Sequence, residues 1–186
     1  MKLTMYQVDA FTNQLFKGNP AAIIELTQWL EDELMLSIAK ENNLSETAFV
    51  VHQPDNSYAI RWFSPICEID FCGHATLACA FILFSQQPEV HTLMFNADAI
   101  GTFSVTRGKH GFIEMEFAAQ IPEPITDIPL ALLSGLNSKP VEVLRNRQAY
   151  FVVYDDNVIV RTLKPNLESF KSLAPYDVVI TSPDQQ

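Results

Sequence analysis

The sequence predicts an α+β fold in which a curved, mixed but mostly antiparallel sheet wraps around one central buried helix. Three observations predict it. Residues 75–84 carry no charge, and a helix that is apolar on all sides needs protein on all sides. Three strand-like segments follow, TLMFNA, GTFSVTRG and GFIEMEF, and they can supply the covering sheet. The order of elements also repeats weakly along the chain, which indicates two related halves.

The elements before this helix follow from local patterns. LTMYQVDAF alternates as a first strand, and residues 21–26 form a short buried strand after a Gly-Asn-Pro turn. TQWLEDELMLSIAKENN predicts a helix that Thr27 caps and that ends at two asparagines. Its apolar face is predicted to be Leu30, Leu34 and Ile38. SETAFVVHQ and YAIRWFSP, separated by a Pro-Asp-Asn turn, predict an antiparallel pair.

The prolines of AAQIPEPITDIP predict a linker between two parts of the chain. We expect an N-terminal half at residues 1–118, a linker at 119–128 and a partial C-terminal half at 129–186. The C-terminal half reads as a helix (LALLSGL), two strands (AYFVVYD, NVIVRTL), a helix (NLESFKSL) and a strand (DVVITS). No counterpart of YAIRWFSPICEIDFCGHATLACAF follows, so we expect this half to be incomplete by roughly 60 residues.

Composition limits the classes of partner. The net charge of −10 and the pI near 4.7 argue against nucleic acid or an anionic membrane surface, although a locally positive site could still bind a small anion. No apolar segment has the length of a membrane span, and the N-terminus has no signal-peptide pattern. The odd number of cysteines, three, predicts reduced thiols and a cytoplasmic protein.

The segment FCGHAT, at the entrance of the apolar helix, has three possible chemistries. A metal site is disfavoured because Cys67, Cys72 and His74 lack the common spacing of structural zinc ligands. Cys72 could be a nucleophilic or proton-abstracting thiol at the helix N-terminus, or a small buried filler. In the third interpretation the N–H groups of Gly73, His74 and Ala75 bind a carboxylate or phosphate. His74 would then contact the ligand or move a proton, or merely cap the helix.

Glu46 is the second candidate for chemistry. It begins a predicted strand directly after Ser45, and in an apolar entrance it could act as both acid and base. The alternative is a solvated loop carboxylate. Arg61 is predicted to be structural and to pair with Glu68 or Asp70.

Three segments taken together, FTNQLFKGNPAAII, WLEDELMLSIAKENNLSETAFVV and YAIRWFSPICEIDFCGHATLACAFILF, resemble the PhzF-like family of phenazine-biosynthesis isomerases, relatives of diaminopimelate epimerase. The resemblance covers the N-terminal half in order and is faint beyond residue 120 until YDVVITS. It implies a diaminopimelate epimerase-like fold of two similar halves with the active site between them. It also implies a homodimer that uses no cofactor and no metal.

The resemblance further implies a reaction, in which a dihydro-hydroxyanthranilate is isomerised by moving a proton between ring carbons. Glu46 matches the glutamate that takes and returns the proton, and His74 matches the assisting histidine. Gly73, Ala75 and Cys72 would line the substrate, a small carboxylate-bearing metabolite. Cys72 also falls where the epimerase relatives keep a catalytic thiol, so a cysteine-type epimerase or racemase is the nearest rival.

The chain departs from the family in its C-terminal half. The expected motifs R-F-F-A-P and D-P-V-T-G-S-A-H, which supply an aspartate and a serine to the cleft, do not occur in the 186 residues. We therefore expect either an isomerase whose chain is truncated or partly recorded, or a non-catalytic remnant that binds a ligand or a partner.

Overall fold

The computed structural model describes residues 2–183, and the chain divides into two compact units between Phe117 and Ala118. The segment predicted as a linker, residues 119–128, contains a two-residue strand that belongs to the second unit. Within residues 2–183 no helix has both the length and the apolar character that a membrane span requires.

The N-terminal unit alternates strands with two helices. Its strands are β1 (Met5–Ala10), β2 (Asn19–Leu26), β3 (Glu46–His52), β4 (Tyr58–Phe63), β5 (Glu68–Ile69), β6 (Thr92–Ala97), β7 (Gly101–Arg107) and β8 (Ile113–Met115). Its helices are α1 (Asp32–Asn42) and α2 (Gly73–Gln86), and a 3-10 turn covers Lys109–Gly111. The predicted α+β class is confirmed.

One curled, mostly antiparallel sheet holds all eight of these strands. Seven follow the order β1-β2-β3-β4-β6-β7-β8, and β5 pairs with β4. The β2–β3 and β4–β6 pairs are parallel, and the other pairs are antiparallel. Strands β4 and β6 pair only through Tyr58–Phe95 and Ala59–Asn96. The predicted antiparallel pair β3–β4 is confirmed.

The two faces of the sheet carry separate cores. On β3, Ala48 and Val50 pack in the cluster that contains α2, whereas Phe49 and Val51 pack in the cluster that contains α1. Because both faces are covered, the strand is a nearly continuous apolar run instead of an alternating one. This arrangement also decides the direction of Glu46, which precedes Ala48 by two residues and therefore lies on the α2 face.

Helix α2 is mostly buried, but the expectation that it is covered on every side is wrong at one position. Ala75, Cys79 and Ala80 are fully buried against the sheet. Phe81 is 52% exposed, because the curled sheet covers one side of the helix more completely than the other.

Helix α1 differs from its prediction at both its start and its apolar face. It begins at Asp32 rather than next to Thr27, so Thr27 does not cap it. Its buried residues are Met35 and Ala39. Of the predicted face, Leu30 and Ile38 pack partly buried against the same cluster, whereas Leu34 is 41% exposed. Its predicted end is confirmed, since Asn43 closes the helix in the left-handed conformation that asparagine tolerates.

The C-terminal unit, described by itself, has a four-stranded sheet and short helices. Its strands are β9 (Glu123–Pro124), β10 (Glu142–Arg145), β11 (Ala149–Val153) and β12 (Asp177–Thr181), in the order β12-β11-β10-β9. Its helices are α3 (Leu130–Ser134), α4 (Asn157–Thr162) and α5 (Leu167–Phe170), followed by a 3-10 turn at Lys171–Leu173. The helices and strands predicted for LALLSGL, AYFVVYD, NLESFKSL and DVVITS are confirmed.

The segment NVIVRTL, predicted as a strand, forms α4 instead. The Asp156 carboxylate accepts a hydrogen bond of 2.8 Å from the Val158 amide and so caps the helix N-terminus. This local cap outweighs the strand preference of the β-branched residues. Strand β10, which sequence reasoning missed, provides the partner of β11.

The predicted internal repeat has a counterpart in strand pairing. In the first unit β1 pairs antiparallel with β2, and β2 pairs parallel with β3 across a connection that contains α1. In the second unit β10 pairs antiparallel with β11, and β11 pairs parallel with β12 across a connection that contains α5. The two units therefore share this three-strand arrangement, which in the second unit follows β9 and α3.

Candidate active site

The start of β3 and the N-terminus of α2 meet on one face of the first sheet. Glu46 is the first residue of β3 and pairs with Ala21 of the neighbouring strand. His74 is the second residue of α2. The side chains of Glu46 and His74 are 19% and 11% exposed, so both are largely shielded from solvent. The sequence-predicted carboxylate and imidazole are brought together.

His74 is the centre of the cluster. Its Nε2 atom lies 3.1 Å from Glu46 Oε2 and 3.3 Å from Ser45 Oγ. Its Nδ1 atom lies 3.3 Å from Cys72 Sγ. The imidazole therefore connects Ser45 and Glu46, at the start of β3, with Cys72, the residue that precedes α2.

Ser45 is a contact that sequence reasoning noted only as a neighbour of Glu46. Its hydroxyl lies 3.3 Å from the Pro20 carbonyl oxygen and 3.5 Å from Asn19 Oδ1, in addition to His74. The first two residues of β2 thus position Ser45; the sequence predicted a Gly-Asn-Pro turn here, but Asn19 and Pro20 lie in the strand. The place of Ser45 directly before Glu46 was the available signal, but its contact with the start of β2 arises only from the parallel register of β2 and β3.

The Glu46 carboxylate has a free oxygen. Oε2 lies 3.1 Å from His74 Nε2 but makes no hydrogen bond with it, and this buried atom has no hydrogen-bond partner. Within residues 2–183, the other buried side-chain polar atom in this condition is Nε1 of Trp62. A buried carboxylate oxygen without a donor has an unused lone pair, which suits it to accept a proton.

The Cys72 thiol is held in its protonated form. Burial raises the pKa of this thiol to about 12, and the Glu46 carboxylate adds to the increase. The amide N–H groups of Ala75 and His74 act in the opposite direction but are outweighed. Since the thiolate is the reactive species, Cys72 is poorly suited to act as a nucleophile or base at neutral pH.

The N-terminus of α2 offers backbone donors near the carboxylate. No side chain caps this helix, so the first amide N–H groups are without an intrahelical acceptor. At Gly73 an added methyl group would make only a van der Waals contact with the Phe71 ring, at 3.8 Å, so the backbone is not crowded there. Ala75 is fully buried, and its amide lies against the Cys72 sulfur.

Glu46, Cys72 and His74 also form the cluster most like a metal site in the described part of the chain. One ligand atom from each lies within 4.8 Å of the others. Metal binding there would first require loss of the Cys72 proton, because metals bind the thiolate. Cys67, the third residue considered from sequence spacing, is exposed and does not belong to the cluster.

Arg61 lies on the opposite face of the sheet and has a structural role. It donates two hydrogen bonds of 2.6 Å to the Glu68 carboxylate, as predicted, and lies 2.9 Å from Asp32 of α1. The predicted alternative partner, Asp70, is not its contact.

Comparison with known proteins identifies the family. The family model described as phenazine biosynthesis-like protein matches residues 8–186. The chain belongs to this family. It is 42% identical over 186 residues to an uncharacterized isomerase of Pseudomonas aeruginosa, covering 100% of this chain and 70% of the relative.

Solved structures agree with this assignment. The crystal structure of a PhzF-family phenazine biosynthesis protein from Enterococcus faecalis superimposes with a TM-score of 0.84 at 41% identity, covering 98% of this chain and 69% of that one. A predicted epimerase from Pseudomonas aeruginosa has a TM-score of 0.66 at 18% identity, with 96% and 70% covered. This second likeness shows a shared epimerase-like fold.

Proposed function

We propose that this chain is a PhzF-like isomerase that moves a proton on a small carboxylate-bearing metabolite, with Glu46 as acid and base and without a cofactor. One observation carries the proposal: Glu46 Oε2 is buried and lacks a hydrogen-bond partner beside His74 and the open N-terminus of α2. An isomerase assignment is consistent with the curated relative from Pseudomonas aeruginosa.

The proposed chemistry balances within the site. Glu46 removes a proton from one carbon of the substrate, the electron pair shifts through the neighbouring double bond, and Glu46 returns the proton to another carbon. His74 donates a hydrogen bond to the substrate. The amide of Gly73 holds its carboxylate at the positive end of the α2 dipole.

The rival cysteine-type epimerisation requires a thiol that loses its proton easily. The raised pKa of Cys72, about 12, disfavours that role. The carboxylate mechanism therefore has the stronger support. Association as a homodimer and a cytoplasmic location stay predictions.

Hydrogen exchange from solvent tests the proposal. The chain is incubated in deuterated buffer with a dihydro-hydroxyanthranilate, and incorporation of deuterium into the substrate is measured by mass spectrometry. We expect incorporation by the wild type and a loss of at least about 10²-fold in Glu46→Gln, because the amide cannot accept the proton. Glu41→Gln, an exposed acid on α1, is the matched control and should match the wild type.

Retention of full exchange in Glu46→Gln would show that another group is the base. Binding of the same compound, followed by the change in its absorbance, should survive the substitution. Absence of exchange in the wild type, together with preserved binding, would instead favour a non-catalytic ligand-binding protein.

A further inference from the structure

The contacts of His74 favour one arrangement of protons when the imidazole is neutral. Ser45 Oγ lies 3.3 Å from the carbonyl oxygen of Pro20, which can only accept. The hydroxyl has one hydrogen, and when this hydrogen is given to the carbonyl, Ser45 can only accept from His74 Nε2, 3.3 Å away. Asn19 Oδ1, 3.5 Å from the same hydroxyl, is a second oxygen to which this hydrogen can go, and in either case the proton of the neutral ring is on Nε2.

The other side of the ring leads to the same assignment. Nδ1 of a ring protonated at Nε2 is a bare acceptor, and Cys72 Sγ lies 3.3 Å from it. The thiol can supply a hydrogen because burial raises its pKa to about 12. A bare Nε2 would in addition leave two electron-rich atoms, Nε2 and Glu46 Oε2, 3.1 Å apart without a hydrogen between them.

We propose that Cys72 is a positioning residue, which holds His74 as the Nε2–H tautomer by donating its S–H hydrogen to Nδ1. This role deepens the proposed function and rests on it only for the consequence in catalysis. The tautomer makes His74 a hydrogen-bond donor on the side of Glu46 and leaves Glu46 as the single base of the cluster.

The geometry separates this role from that of a filler. Cys79, a buried cysteine within α2, has no hydrogen bond to a histidine, whereas Cys72, buried directly before α2, has its sulfur 3.3 Å from His74 Nδ1. The two thiols therefore form a matched pair: both are buried cysteines, but only Cys72 contacts His74 in the described part of the chain.

The experiment is two-bond proton–nitrogen correlation spectroscopy of the ¹⁵N-histidine-labelled chain at neutral pH. The chain has four histidines, and the signal of His74 is identified by its loss in His74→Asn. We expect the wild type to show protonated Nε2 and bare Nδ1. We expect Cys72→Ala to shift His74 toward a mixture of tautomers, because Nδ1 loses its donor. Cys72→Ser should retain the wild-type pattern, since a hydroxyl can also donate.

Cys79→Ala is the control and should leave the His74 pattern unchanged. The proposal is overturned if wild-type His74 carries its proton on Nδ1 or on both nitrogens, as it would if the thiol donated to Glu46 instead. It is also overturned if a folded Cys72→Ala variant keeps the wild-type His74 pattern. Should the alanine variant not fold, a mixture of His74 tautomers in Cys72→Ser overturns it. Because the spectra record the imidazole itself, these results do not depend on whether Glu46 proves to be the catalytic base.

Discussion

The two buried thiols of α2 should make the N-terminal unit lose stability at alkaline pH. In the folded unit burial raises the pKa of Cys72 from 9.0 to about 12, and it raises that of Cys79 as well. A raised pKa in the folded state means that the unfolded chain releases the proton first. The stabilising contribution is therefore complete below pH 9 and is lost as the pH rises toward the folded value.

The size of the effect follows from the two pKa values of Cys72. Between them the free energy of unfolding falls by about 1.4 kcal/mol for each pH unit and each thiol. From about pH 7.5 to about pH 10.5, Cys72 alone should lower it by ~2 kcal/mol. Cys72→Ala should remove this part of the pH dependence, whatever constant change in stability the substitution causes.

Urea unfolding followed by tryptophan fluorescence measures the free energy of unfolding of the N-terminal unit, which contains both buried cysteines. Both tryptophans of the chain, Trp29 and Trp62, lie in the N-terminal unit. The quantity of interest is the difference between wild type and Cys72→Ala at the two pH values, because titration of other groups cancels in it. Cys67→Ala is the control, since Cys67 is exposed in the folded unit as well. A wild-type–variant difference that stays constant within ~0.5 kcal/mol would refute the reasoning.

Three further predictions concern single substitutions. Gly73→Ala should keep the stability of the unit within ~1 kcal/mol, since a methyl group there makes only a van der Waals contact with the Phe71 ring, but should weaken exchange of the substrate, as the deuterium assay will measure. Met35→Ala should cost about 2–5 kcal/mol in urea unfolding because the side chain is 0% exposed, whereas Leu34→Ala beside it, 41% exposed, should cost much less. Asp156→Ala should destabilise the C-terminal unit by ~1 kcal/mol through loss of the α4 cap, measured by thermal circular dichroism, and Asp155→Ala should not.

Most of the first unit could be predicted because its pattern and its packing agree. The uncharged run of α2 and the alternating strands after it are determined by burial, and the structure confirms them. Sequence reasoning was less successful where a local interaction competes with residue preference. Asp156 caps α4 and converts a β-branched segment to helix, and Thr27 is followed by four residues before α1 begins.

The site could be predicted only in part for a different reason. Glu46 and His74 stand out as polar residues in apolar surroundings, and the structure places them 3.1 Å apart. The role of Ser45 depends on the register of β2 with β3, which no local pattern encodes. The buried state of Cys72, which separates a protonated thiol from a reactive one, depends likewise on tertiary packing.

The junction of β4 with β6, made by two residue pairs only, has a consequence for dynamics. Amide hydrogens of β6, β7 and β8 should exchange with solvent together and earlier than those of β2, β3 and β4, because so few ladder bonds join the two groups of strands. Because α2 shares one core cluster with β6 and β7 as well as with β2, β3 and β4, such an opening would uncover one side of α2, while the β2–β3 ladder that carries Glu46 stays paired.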